Sequence, residues 1–381
     1  MDFSDKYNSI RQKFFDKFYY SGHVAESIEG DRIKFADQTI YIGQALIFLA
    51  SEIYIMRRNG QNLEFSIQKI DELLDTVEQL DRDAEPLYSA DSQLNGFILR
   101  DNIIGVDDPR LNNRFAQVDS DWQTPENAAP SGDQIFGLFY GLWCVAKLSE
   151  EEPLIERAKE ISDRIYLFAK NSYFELKLPN GDDVKRGGDM RWLSSLLHGL
   201  NKYMTGKDRF EDSKIKLLGF ELPLNGVASF WDNSGDEAAV ILQTSIDLKF
   251  DIPVIGEVSL GEIEVNSFAA HIILMAIAPS DIWTKGEFEA AALSVNHHFS
   301  ILLYSFASNS TPDSFGLAEI QEILDKCPSD GTQSDLPVET GWQKDNRWIR
   351  SRNIDEPGSG SKEYNGVDFL ILHNLAEIVF S

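Results

Sequence analysis

Hydrophobic residues recur at helical spacing along almost the whole chain. Residues 4–20 (SDKYNSIRQKFFDKFYY) place Tyr7, Ile10, Phe14, Phe15 and Phe18 on one face, behind Ser4, a helix-capping residue type. Residues 38–58 (QTIYIGQALIFLASEIYIMRR) are apolar on most faces, the pattern of a helix buried all round. Residues 64–83 confine Ile67, Ile70, Leu73, Leu74, Val77 and Leu80 to one stripe, so this is an outer helix. The alternation repeats. Residues 133–148 are nearly all apolar, and 153–172 are amphipathic with Pro153 in the first turn. Segments 188–204, 264–278, 286–306, 313–326 and 366–380 continue the series, with 207–219 and 235–247 as shorter helices.

Strand signals are few. Phe174–Leu178 and Asp183–Lys185 flank the turn residues of Pro179-Asn180-Gly181-Asp182, and KFDIPVIGEVSLGEIEV near 248–264 alternates. The expectation is an all-α fold: an (α/α) barrel or toroid of about six helical hairpins with small β-hairpin decorations. No Pro- or Gly-rich linker divides the chain, so residues 1–381 are read as a single domain.

Composition narrows the partners. The 62 acidic residues against 35 basic ones give a formal charge of −27, which repels nucleic acid and anionic membrane surfaces. No apolar run reads as a membrane span. The two cysteines, Cys144 and Cys327, exclude a disulfide framework. The opening MDFSDKYNSI has acids where a secretory signal carries basic residues, so the chain is expected to be cytoplasmic or secreted with its signal removed.

Chemistry concentrates in two long connections. The stretch from Asn95 to Leu142 carries seven acidic side chains, three arginines and Trp122. Its irregular part is long for a compact domain, and such loops are usually functional or disordered. Phe97, Ile98, Leu99, Ile103, Ile104, Phe115, Val118 and Trp122 anchor it, unlike a solvated tail. The second connection, 328–365, is again rich in Trp, Arg, Asp and Glu.

The alternating helices, the long acidic loop after the third helix, and the C-terminal loop with NRWIRS and EYNGVDFLILHNLAEI together resemble the six-hairpin glycosidase-like superfamily. That superfamily holds carbohydrate hydrolases and lyases along with relatives of unknown activity. The resemblance implies that loops at one end of the inner helices form a substrate cleft, and that the two long loops meet there. It assigns no catalytic residue.

The residues themselves supply candidates. Glycoside cleavage needs one acid to protonate the leaving oxygen and one carboxylate as nucleophile or water-activating base. Asp101, Asp121 and Asp133 are the candidates, weighed against ion pairing for Asp101 and Asp121 and helix capping for Asp133. Asp107 and Asp108 in DDPR read as turn residues. Arg100, Trp122, Gln134, Arg186, Trp342, Arg347, Tyr364 and Asn365 are the expected substrate-binding set, the indoles covering sugar rings and the arginines meeting anionic groups. A calcium site in the acidic loop competes with this reading, but the spacing is not that of a helix–loop–helix calcium loop. The six histidines are dispersed, no HExxH occurs, and no metal or cofactor is expected. LDRDAE at 80–85 reads as the polar end of an outer helix.

The expected function is therefore a carbohydrate-active enzyme, a glycoside hydrolase, with a glycan or other small-molecule substrate. Two alternatives stand beside it. A polysaccharide lyase or isomerase would use Tyr364 or His198 as base and Arg186 or Arg347 to neutralise a carboxylate. A non-catalytic glycan- or protein-binding toroid would show the aromatic loops without paired acids.

Overall fold

The computed structural model describes residues 4–88, 91–103, 108–120, 125–184, 194–207, 214–217, 220–223, 246–252, 256–263, 298–327 and 362–381, with positions 106, 209, 289 and 293 besides. The described chain is mainly helical, with small sheets. Helix α1 (Ser4–Lys13) runs into a π-helical turn (Phe14–Phe18), and strand β1 (Tyr19–Tyr20) follows at once. The helix expected over 4–20 thus stops early. A hairpin to β2 (His23–Val24) takes its place, turning through Ser21 and Gly22 at φ +49° and +90°. A Cβ on Gly22 would sit 2.3 Å from the Glu72 carbonyl oxygen, so only glycine fits this turn. Arg110 closes the opened helix end by donating to the Phe15 and Tyr19 carbonyls, 2.9 Å each.

Helix α2 (Gln38–Arg58) is buried on nearly every face, and α3 (Glu64–Arg82) buries one stripe, Ile70, Leu73, Leu74, Val77 and Leu80 with Ser66, Thr76 and Asp81. The next inner and outer pair is α6 (Gly132–Leu148) and α7 (Glu152–Asn171). Between α3 and α6 lies the long connection. It holds a 3-10 turn (Glu85–Tyr88), α4 (Pro109–Arg114), β5 (Gln117–Asp119) and α5 (Pro125–Ala128), so it is not structureless. After α7 come α8 (Ser194–Thr205), the strand pairs β6 (Lys214–Leu217) with β7 (Phe220–Pro223) and β8 (Ile246–Ile252) with β9 (Gly256–Ile263), then α9 (His298–Ala307), α10 (Leu317–Asp325), β10 (Lys362–Tyr364) and α11 (Val367–Phe380). The helix expected over 207–219 is replaced in part by strand β6. The helix expected over 264–278 lies outside the described residues.

Helices α2 and α6 touch backbone to backbone. A Cβ on Gly43 would lie 2.2 Å from the Gly137 oxygen, and one on Gly141 would lie 2.5 Å from the Gly43 oxygen. Small residues at this crossing let two inner helices approach to a distance that side chains would prevent. Among the described residues the inner helices α2, α6, α9 and α11 run in one direction. Asn374 of α11 donates to the Phe48 oxygen and to Ser51 Oγ of α2, and seven residues later on both helices Ser381 meets Arg58. Phe299 of α9 lies against Tyr140 of α6, ring centroids 6.2 Å apart, and again seven residues later on both Lys147 covers Phe306. Outer helices α3 and α7 are joined by Arg157, which reaches Asp71, Asp75 and Glu78.

Helix α2 is long and apolar enough to cross a membrane, more so than the sequence reading allowed, but its apolar surface is covered by the fold. Among the described residues one apolar core runs from Ile10 to Ala376. Both cysteines are buried within it as free thiols.

Candidate functional site

Parallel inner helices bring their N-termini to one end of the molecule. At that end the chain between α3 and α6 crosses the start of α2. The Arg100 carbonyl accepts from the Thr39 backbone N–H (3.2 Å) and Oγ1 (2.6 Å), and the Arg100 N–H donates to Ala128 O at 2.8 Å. These contacts satisfy a helix start that has no side-chain cap of its own. A four-stranded sheet in the order β10-β3-β4-β5 flanks the same end, built from β3 (Ser27–Glu29) and β4 (Arg32–Lys34) with β5 from the first long connection and β10 from the end of the second. The two connections therefore share one sheet, with the 27–34 hairpin between them.

The centre of the site is Asp37, a buried carboxylate just before α2. Its Oδ1 accepts from Arg100 Nη2 at 3.2 Å and from Gln134 Nε2 at 3.3 Å. Gln134 also closes a capping box on α6, accepting from the Ser131 N–H at 3.1 Å. Two segments far apart in sequence thus meet on one oxygen. Their neighbours Asp101 and Asp133 are brought to the same corner, Asp101 with a fully buried side chain and Asp133 as a first-turn residue of α6.

A second chain of polar contacts starts at Gln38. Its Oε1 accepts from the Asn102 N–H at 3.2 Å, and its Nε2 lies 2.7 Å from His23 Nδ1. Asn102 Nδ2 donates to Asp83 at 3.0 Å. Burial pushes the His23 ring down to about 4, against the pull of the Gln38 contact, so the ring is neutral above that pH. Nearby, Asp81 accepts from the Asn95 and Gly96 N–H groups at 3.0 Å and pins the start of the connection. Burial raises its carboxyl to about 6 although those two N–H groups oppose the shift. Glu85 accepts from Asn95 Nδ2 at 2.6 Å. The LDRDAE run is therefore not simply a solvated helix end, since Asp81 and Glu85 are buried and hold the loop.

The expected binding residues divide. Arg100 is an inward partner of Asp37, and Gln134 is fully buried between its cap and the same acid. Asn365 is fully buried too, donating to Ala25 O at 3.1 Å and accepting from the Val367 N–H at 3.1 Å at the start of α11. Gln134 and Asn365 support the site rather than line it, because a side chain with no exposed surface has no face left for a ligand, whereas Arg100 keeps 13% of its side chain exposed. Tyr364 lies on β10 opposite Ser27. Asp121, Trp122, Arg186, Trp342 and Arg347, and the side chains of Asp133 and His198, lie outside the described residues. Asp108 caps α4 through the Arg110 N–H (2.9 Å), and hydrogen bonds from the Arg110 side chain hold its carboxyl below the usual range, so it is the turn acid expected of DDPR.

Asp37, Gln38, His23 and Asn102 were not legible as site residues. The available signal was the polar run Asp37-Gln38-Thr39 opening a wholly apolar helix, which reads equally well as an ordinary helix start. Asp368, in the first turn of α11, is fully buried and burial raises its carboxyl to about 7, although the Phe369 N–H donates to it at 2.9 Å. Among the described residues no cluster of three or more metal-ligating side chains is present. Comparison of the chain with protein-family models, with curated proteins and with solved structures finds no match in any of the three.

Proposed function

We propose that the helices form an (α/α) toroid of about six hairpins and that the protein is a carbohydrate-active enzyme, a glycoside hydrolase working at the N-terminal ends of its inner helices. The observation that carries the reading is the meeting of Arg100 and Gln134 on Asp37. It sets the connection that carries Asp101 and Asp121 against the first turn of α6 with its Asp133; since Asp101 is fully buried, Asp121 and Asp133 are the two acids of this reading. Glycoside cleavage needs two carboxylates of unlike environment, and helix N-termini favour the ionised member. Asp121 and Trp122 belong to the connection that crosses this end, and in this reading they supply one of the two acids and a ring-stacking surface.

The test is turnover. Purified protein is screened against p-nitrophenyl glycosides and polysaccharides for released phenol or reducing ends. Asp121→Asn and Asp133→Asn are expected to abolish turnover while leaving the protein folded. Carboxyl separations of roughly 5–5.5 Å predict retention and roughly 6.5–9.5 Å inversion, which the anomeric form of the product checks. A chain inert on the whole screen sinks the reading.

One observation favours a second reading, a non-catalytic glycan- or protein-binding toroid: the Asp101 side chain is fully buried and so is withdrawn from any pair of ligand-facing acids. Binding of a glycan without turnover would select it.

A further inference from the structure

We infer that His23 presents a neutral Nε2–H as a fixed hydrogen-bond donor to an oxygen of the bound sugar, a role that rests on the carbohydrate reading above. The argument begins at Gln38. Its Oε1 is taken by the Asn102 backbone N–H, a group that can only donate, so the amide orientation is set. Gln38 Nε2 must then be the donor across the 2.7 Å contact, and His23 Nδ1 the acceptor. A neutral imidazole that accepts at Nδ1 carries its proton at Nε2.

That proton has no protein acceptor among the described residues, nor is Nε2 among the polar atoms sealed from solvent. The residue as a whole keeps only 4% of its surface exposed. A buried histidine that merely fills space ordinarily satisfies both nitrogens. Here one nitrogen is satisfied by a three-member relay, Asp83 to Asn102 to Gln38, and the other is left open. Gln38 follows Asp37, and Asn102 lies on the connection that carries Asp101 and Asp121, so the relay ties His23 to the segments that hold the proposed acids.

The geometry also fixes what the donor accepts as a partner. Desolvation by the surrounding core keeps the ring uncharged, and no charged group faces it strongly enough to reverse that. An uncharged donor suits a hydroxyl or ring oxygen more than a carboxylate, which charged donors bind more strongly. Gln38 is the positioning residue, since it chooses the tautomer without touching the ligand.

The test uses the full chain labelled with 15N-histidine, with His23 assigned by the signal lost in His23→Gln. The native protein is expected to show the Nε2–H tautomer from pH 8 to pH 5. The panel comprises p-nitrophenyl glycosides of glucose, galactose, mannose, N-acetylglucosamine and glucuronic acid. The His23 Nε2 signal is expected to move when the member best cleaved by the wild type is added. Gln38→Glu places a carboxylate against Nδ1, which pulls the proton there and leaves Nε2 as an acceptor. Both Gln38→Glu and His23→Gln are expected to lower kcat/KM about tenfold or more, the order of losing one oriented donor. Gln38→Glu also reports if His23→Gln fails to fold. An Nδ1–H tautomer in the native protein, or an active wild type whose rate Gln38→Glu leaves unchanged despite the switched tautomer, overturns the role of His23 alone. A wild type inert on every glycoside overturns the carbohydrate reading and this inference with it.

Discussion

The two ends of the parallel inner helices use charge in opposite ways. At the C-terminal end, Arg57 reaches the Ser149 carbonyl, Glu150 and Glu151, and Arg58 meets Ser381. These cations lie where helix carbonyls leave negative potential, and they are partly in water: the Arg57 and Glu150 side chains are 27% and 60% exposed. At the N-terminal end, Arg100 and Asp37 are 13% and 5% exposed. The same type of ion pair therefore does different work. In water it is screened and replaceable, whereas in the interior removing one partner leaves the other as an uncompensated buried charge. The N-terminal end is the place where a substitution has large consequences.

The strongest test of that contrast is Asp37→Ala. It strands the Arg100 guanidinium and removes the acceptor of Gln134, and it is expected to destabilise by about 3–5 kcal/mol, the usual cost of breaking a buried pair. Chemical denaturation measures it. A loss below 1 kcal/mol would erase the distinction between the two ends.

Asp368 sharpens the comparison through pH. Its folded-state carboxyl stands at about 7, above the ordinary aspartate value of 3.8, so the folded protein binds this proton more tightly than the unfolded chain. The linked stability is fully present below pH 3.8 and is lost as pH rises through about 7. Asp368→Asn should flatten the fall in stability between pH 4 and pH 7, gaining on the order of 2–4 kcal/mol at pH 8 relative to the parent. Melting temperatures across that range decide it. A parent whose stability rises steadily over this window, with the variant following the same curve, would place the charge change elsewhere.

The smallest effect belongs to the exposed end. Arg57→Ala is expected to cost less than about 1 kcal/mol, and 1 M salt should shrink the difference further. A loss as large as that of Asp37→Ala would show that the C-terminal cluster is as critical as the buried one.

Helices α2, α3, α6, α7 and α11 were legible within a residue or so of their ends, because an apolar period of 3.6 is a local property and helix burial amplifies it. The positions of Arg100, Asp101, Asp133 and Gln134 were legible as a chemical concentration for the same local reason. Other elements were not. Strands β1 to β4 span two or three residues each, too few for an alternating pattern to show, and Tyr19, Tyr20, His23 and Val24 are all buried, which removes the alternation entirely. The early end of the first helix depends on Arg110, ninety-one residues from its Tyr19 partner. Nor did any local pattern mark Asp37 as the point where Arg100 and Gln134 meet, or Gln38 as the residue that fixes the His23 proton. Periodicity reports how a segment folds against a generic interior. Which side chains then share an oxygen is set by the direction and spacing of whole helices, and here the backbone contact at Gly43 and Gly141 fixed that spacing between α2 and α6.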